Sequence, residues 1–189
     1  MIPSPDAVRA VIDAVIAHDL PFFLTGSLVS NAYGTPRFTA DADFVIIANE
    51  EQIEAVFASL ATDFERDAQL AFETVTGKTQ HKIRHKGSGL LIELFEMKDD
   101  PFDESRMARR QRVRYLDRDA FFPTAEDVIV GKLRWFSALA REKDMEDIVH
   151  VIRRQNDSLD WPYIEKWCRE HGSTEHLATA RAAAAELDM

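Results

Sequence analysis

Two aspartates, Asp41 and Asp43, open a run that is otherwise almost wholly apolar through Ala48 (ADFVIIA). That composition fits a strand buried on both faces, in the middle of a sheet. On an extended chain, residues two apart point the same way, with Cα atoms about 6.6 Å apart. A core strand therefore begins with two carboxylates on one face, a pair suited to clamping metal ions. A third acid is expected from a neighbouring strand, and Glu93 answers it. In Leu91-Ile92-Glu93-Leu94-Phe95 it is the single charge of an apolar strand, where an unpaired carboxylate is costly to bury.

The segments around these acids alternate in period. Val8, Val11, Ile12, Val15 and Ile16 repeat at helical spacing after Pro5 and Asp6, and Asp19-Leu20-Pro21 ends that helix. Phe22 to Thr25 reads as a short strand that meets a Gly26-Ser27 turn and a second helix, closing near Tyr33-Gly34-Thr35-Pro36. Residues 50–61 return to helical spacing, and 67–76 reads as helix or loop. Thr79 to Phe95 is a hairpin: TQHKIRH, a turn at Lys86-Gly87-Ser88-Gly89, then the strand LLIELF. After Pro101 come a short arginine-rich helix and two short strands, near VRYL and Ala120-Phe121-Phe122. Thr124 with Asp127 forms a capping-box pattern. From there the chain reads as helices over about 125–140, 142–155, 160–171 and 174–187. The expected fold class is α/β (α+β): a mixed sheet flanked by helices over residues 1–122, and a C-terminal helical region, 123–189, packed on it.

Composition narrows the function. With 23 Lys and Arg against 33 Asp and Glu, the net charge is −10, which argues against a protein that coats nucleic acid by neutralising phosphates. The single cysteine, Cys168, makes no intramolecular disulfide and suits a reducing cytosol. The start MIPSPDAVRA lacks the basic and apolar regions of a signal peptide, and charges interrupt each apolar run before membrane-spanning length. The expectation is a cytoplasmic protein with no membrane partner; no oligomeric state is legible.

Gly26 permits close approach of the backbone to a phosphate, and the helix that follows offers its first N–H groups to anions, with the Ser27 hydroxyl beside them. A Gly-Ser turn between strand and helix, an Asp-x-Asp pair on the next strand and a later acid in an apolar strand, in that order, resemble the DNA polymerase β-like nucleotidyltransferase superfamily. A finer resemblance, over about residues 20–150, is to small bacterial nucleotidyltransferase-like proteins, including toxin-type relatives of the AbiEii group. It rests on Arg37-Phe38-Thr39-Ala40-Asp41-Ala42-Asp43, and on Lys132 followed by a helix bearing Asp144 and Asp147. Many such relatives carry Asp where this chain has Glu93.

The resemblance implies an enzyme that moves a nucleoside monophosphate from a nucleoside triphosphate to a hydroxyl, releasing pyrophosphate. Asp41, Asp43 and Glu93 would be the catalytic acids and hold two Mg²⁺ (or Mn²⁺) ions, both on Asp41 and Asp43 and one of them also on Glu93, while Gly26, Ser27, Arg37 and Lys132 would bind the nucleotide, ATP among the donors. The acceptor is an RNA end, a protein or a small molecule. The alternative is an inactive nucleotide-binding or interaction module, such as a toxin–antitoxin component.

Other patterns compete with this reading or fall away. Lys132 lies at the margin of an apolar stripe, so its ammonium reaches either Asp144 or Asp147, or a triphosphate. Glu93 has Lys82 and Arg84 as alternative partners across the hairpin. The basic stretch Arg106, Arg109, Arg110, Arg112, Arg114 and Arg118 is either a solvated face or the entrance for a triphosphate or RNA end. His81 and His85, about 13 Å apart on a strand, are too distant to share a zinc ion. Gly77-Lys78-Thr79 imitates a P-loop end, but the leading glycine position holds Phe72. Cys168, on a helix with Trp161, Ile164 and Trp167, is expected to be a buried thiol rather than a nucleophile.

Overall fold

A computed structural model describes residues 2, 4–60, 62–67, 71–73 and 75–187. The chain divides into two compact units: Met1–Leu28 with Phe38–Phe122, and Val29–Arg37 with Pro123–Met189. The segment 29–37 thus counts with the helical unit, although the sequence reading set it in the α/β part. Its polar groups explain this: the Tyr33 hydroxyl donates to the Pro123 carbonyl at 2.9 Å, Gln155 donates to the Tyr33 carbonyl at 3.0 Å and Arg154 to that of Gly34 at 3.2 Å.

In the first unit, α1 (Pro5–Ala17) is capped by Ser4, has proline at its first position and buries Val8, Val11, Ile12 and Val15. β1 (Phe22–Thr25) passes directly into α2 (Gly26–Tyr33), and β2 (Asp41–Ile46) is followed by α3 (Glu50–Ser59), closed by an Asn49–Gln52 capping box. Then come β3 (Phe64–Arg66), β4 (Ala71–Phe72), β5 (Thr79–His85), β6 (Leu91–Glu96), α4 (Pro101–Arg109), β7 (Gln111–Tyr115) and β8 (Arg118–Phe122). The sheet order is β1-β2-β6-β5-β3, with β4 also on β5; β2 and β6 are parallel and the other pairs antiparallel. β7 and β8 form a separate hairpin.

Within 67–76 the structure has no helix among the described residues but the short strand Ala71–Phe72 and a turn at 75–76, with β3 just before it. The side of β5 away from β6 has backbone groups to satisfy, and β3 pairs with its residues 83–85 while β4 pairs with residues 79 and 80. Residues 68–70 and 74 lie outside the described residues.

The central strands have two unlike faces. Ala42, Phe44, Ile46, Ile92 and Leu94 are fully buried on one. There α3 sets its Phe57 ring against that of His81, 6.0 Å between centroids. On the other face, Phe23 and Val45 pack with Met107 of α4, beside Phe95, Met97 and Phe121. Through Met107, α4 packs at the Val45 and Phe95 ends of β2 and β6. It is fastened by the buried Asp103, which receives Lys78 at 2.5 Å and Arg106. The Arg106 guanidinium also lies over the Phe23 and Phe102 rings, at 5.1 and 5.0 Å. Burial pulls the Lys78 ammonium below its ordinary pKa, Arg106 adds to this, and Asp103 opposes it.

The arginine stretch is largely engaged within this unit. Besides Arg106, Arg112 pairs with Asp119 at 2.6 Å, Arg118 with Asp13 at 2.6 Å, and Arg110 stacks over Phe121.

The second unit contains α5 (Ala125–Leu139), α6 (Glu142–Gln155), a single turn of 3₁₀ helix at 156–158, α7 (Trp161–Glu170) and α8 (Thr174–Glu186). Thr124 and Asp127 close the capping box at the start of α5, and the Tyr163 hydroxyl donates to Asp127 at 2.6 Å. Cys168 is buried, and that burial raises its thiol pKa. Among the described residues, no helix is long and apolar enough to cross a membrane.

Candidate active site

Sheet register brings the acids of the first unit together. Thr25 stands opposite Asp43 across β1 and β2, Asp43 beside Glu93 across β2 and β6, and Glu93 opposite Lys82 across β6 and β5. The four residues make one row on one face, and Asp41 lies two residues earlier on the same face, beside Leu91. This register is enforced by the apolar partners of the opposite face, because a one-residue slip would drive the carboxylates into the core.

Each acid is held differently. The Thr39 hydroxyl, itself buried, bonds the Asp41 carboxylate. Gly26 sits next to Thr25 at φ +64°, and a Cβ placed on it would lie 1.8 Å from Asp43 Oδ2. Only glycine suits both the left-handed backbone and that space. The sequence suggested that Gly26 makes room for a phosphate; in the structure the Asp43 carboxylate lies against it, at the start of α2, where helix N–H groups favour negative charge. Ser27 is buried at the same turn. Glu93 Oε1 accepts from Gln80 Nε2 at 2.6 Å and faces Lys82 Nζ at 3.2 Å. Arg84, the other cross-hairpin candidate, donates to the Gly89 carbonyl.

Oxygen donors of this kind suit a hard divalent ion. Among the described residues, however, no three His, Cys, Asp or Glu side chains are arranged to hold one. The Asp41–Asp43 pair offers two donors from one strand, while Glu93 is engaged with Lys82 and Gln80. Next to this pairing, a groove of about 570 Å³ is lined by Glu65, Asp67, Lys82, Arg84 and Leu91, with Arg66 and Ile83. The two histidines are separately engaged, His81 with Glu96 at 2.6 Å and His85 with Ser88 at 2.8 Å.

Arg37 and Lys132 belong to the second unit, in a cluster of their own. Arg37 Nε is 2.8 Å and its Nη2 2.9 Å from the two oxygens of Asp147, a bidentate pair. Lys132 Nζ lies 2.8 Å from Asp147 and 3.1 Å from Asp144, Arg141 pairs with Asp144 at 2.6 Å, and the Ser30 hydroxyl donates to Asp147 at 3.1 Å. Burial raises the Asp147 pKa, but Arg37 and Lys132 outweigh it and hold the carboxyl at about 2.

Gln80 and Ser30 were not singled out from the sequence. Gln80 had a usable signal, since it shares strand parity with Lys82 in the hairpin. Ser30 had none, because its partner is 117 positions away.

The fold is that of the nucleotidyltransferases, a mixed sheet with helices. No protein-family model and no curated protein matches the sequence. Among solved structures, ANT(2″)-Ia in complex with adenylyl-2″-tobramycin aligns with a TM-score of 0.62 at 13% identity, over 89% of this chain and 97% of that one. An antigenic nucleotidyltransferase-like protein from Paracoccidioides brasiliensis aligns at 0.56 and 17%, over 93% and 91%. The lincosamide antibiotic adenylyltransferase LnuA, with lincomycin bound, aligns at 0.52 and 12%, over 78% and 96%. At these identities the likeness is one of fold.

Proposed function

We propose that this chain is a nucleotidyltransferase that transfers a nucleoside monophosphate from a nucleoside triphosphate to a hydroxyl of a small polar molecule. The observation that carries the reading is the row Thr25–Asp43–Glu93–Lys82, with Asp41 on the same face and the Gly26 turn beside it. A small acceptor is favoured by the adjoining groove, whose volume is in the range of small-molecule sites and whose lining mixes both signs of charge. Of the structures with this fold, that of ANT(2″)-Ia is in complex with adenylyl-2″-tobramycin and that of LnuA has lincomycin bound.

In this reading Asp41 and Asp43 would hold Mg²⁺ or Mn²⁺, with Glu93 on the acceptor side. The ion, when bound, supplies positive charge where negative charge builds on the phosphate oxygens. Thr39 fixes the Asp41 carboxylate, and Gly26 leaves space for that of Asp43. At the Gly26-Ser27 turn the first N–H groups of α2 would face the outer phosphates beside the Asp43 carboxylate, whose charge the ion would offset. Glu93 accepts the hydrogen bond of the acceptor hydroxyl and takes its proton as the oxygen attacks the α-phosphorus. The α–β bridging P–O bond breaks and pyrophosphate leaves. Arg37 and Lys132 act structurally through Asp147 and Asp144.

The test is label transfer from each α-³²P-labelled nucleoside triphosphate, with Mg²⁺, to aminoglycosides, lincosamides and a cell extract, run beside Asp41→Asn. Label on a small molecule with the wild-type chain alone is the expected result. Undiminished transfer by Asp41→Asn overturns the assignment, and label on RNA or protein replaces the acceptor. The engagement of Glu93 by Lys82 and Gln80 favours a second reading, a non-catalytic nucleotide-binding module. Nucleotide binding without transfer selects it.

A further inference from the structure

Resting on the nucleotidyltransferase reading, we infer that Lys82 serves as a built-in cation of the site, its ammonium standing at Glu93 in place of a second divalent ion. Glu93 is on β6, directly opposite Lys82 on β5, so the pairing is fixed by sheet register rather than by chance contact of two surface chains. Lys82 Nζ is 3.2 Å from Glu93 Oε1, and Gln80, two residues along β5, donates to the same oxygen at 2.6 Å. An ion bound through that oxygen would have to displace both.

Charge and shape agree with this assignment. One divalent ion at Asp41 and Asp43, with one ammonium at Glu93, offsets the charge of the three carboxylates. Lys82 also lines the groove that adjoins the row. Lys82 thus touches both Glu93 and the groove assigned to the acceptor, as a positioning residue that sets how Glu93 meets the hydroxyl.

The experiment counts Mn²⁺ ions by equilibrium titration with electron paramagnetic resonance, using the full chain with a non-hydrolysable triphosphate analogue and no turnover. One ion per chain is expected for wild type and for Lys82→Arg, two for Lys82→Met, and loss of the tight ion in Asp41→Asn. Two ions of equal affinity in wild type, or an unchanged count in Lys82→Met, overturn the role of Lys82 and leave the nucleotidyltransferase reading standing. If wild type binds no Mn²⁺ while remaining folded by circular dichroism, both fall. Retention of the wild-type count by Lys82→Arg separates charge from mere packing.

Discussion

In the second unit, Asp144 and Asp147 lie one helical turn apart on α6, 2% and 5% exposed, among Arg37, Lys132 and Arg141. In the first, Asp41 and Asp43 lie two apart on β2, half-buried, in a setting that includes Thr39, Gln80, Glu93 and Lys82. Both are pairs of aspartates, yet burial sets different demands on them. A carboxylate withdrawn from water needs cations and hydrogen-bond donors from its own chain, and the α6 pair obtains them from α5, from the start of α6 and from the segment before β2. A half-buried carboxylate on a sheet face keeps part of its hydration. It is thereby available to a cation from outside, so the first pair is the one we assign to chemistry and the second to stability.

Substitutions that separate stability from turnover sharpen this contrast. The largest loss of stability is expected for Asp147→Ala, which removes the bidentate partner of half-buried Arg37 and leaves buried Lys132 with Asp144. It should cost about 3–5 kcal/mol by chemical denaturation, and a loss below about 1 kcal/mol would remove the cluster from the list of structural supports. Next comes Gly26→Ala, which combines a left-handed backbone with a collision at Asp43 and should cost about 1–3 kcal/mol. Part of that cost should vanish in an Asp43→Gly background, where the colliding atoms are gone; strict additivity in the double-mutant cycle would contradict the close approach.

Acid titration probes the second cluster without mutation. The native pKa of Asp147, about 2, lies below its ordinary value of 3.8, so its contribution is complete above about pH 4 and disappears as the pH falls through about 2. The difference corresponds to about 2 kcal/mol, and the pH dependence should flatten in Asp147→Asn. The smallest effect is expected for Asp41→Asn. Its stability should stay within about 0.5 kcal/mol of wild type, while transfer falls by at least about 100-fold. A destabilised Asp41→Asn protein would place that aspartate with the structural acids.

Much of the fold was legible because it is encoded locally. The strand ADFVII, the hairpin around Lys86 to Gly89, the Thr124–Asp127 box and the helical periods of residues 125–187 each depend on a few adjacent residues. Strands β3 and β4 were not legible, since they exist by pairing with β5 and carry little period of their own. The segment 29–37 sided with the helical unit for a similar reason: its partners Pro123, Asp147, Arg154 and Gln155 are remote in the chain. In the site, the sequence marked Asp41, Asp43 and Glu93 by parity and by an unexpected charge in an apolar strand. It also offered two partners for Glu93, Lys82 and Arg84, and three for Lys132: Asp144, Asp147 or a triphosphate.

The sequence by itself determined which residue types enter the sheet as carboxylates and which face of β2 they share, because strand parity is a property of the chain alone. Only the tertiary structure decided that Glu93 stands beside Asp43 and opposite Lys82, that Asp43 lies against Gly26, and that Lys132 meets both Asp144 and Asp147. Those outcomes depend on register between distant segments and on which charges are withdrawn from water together, and neither is written in local spacing.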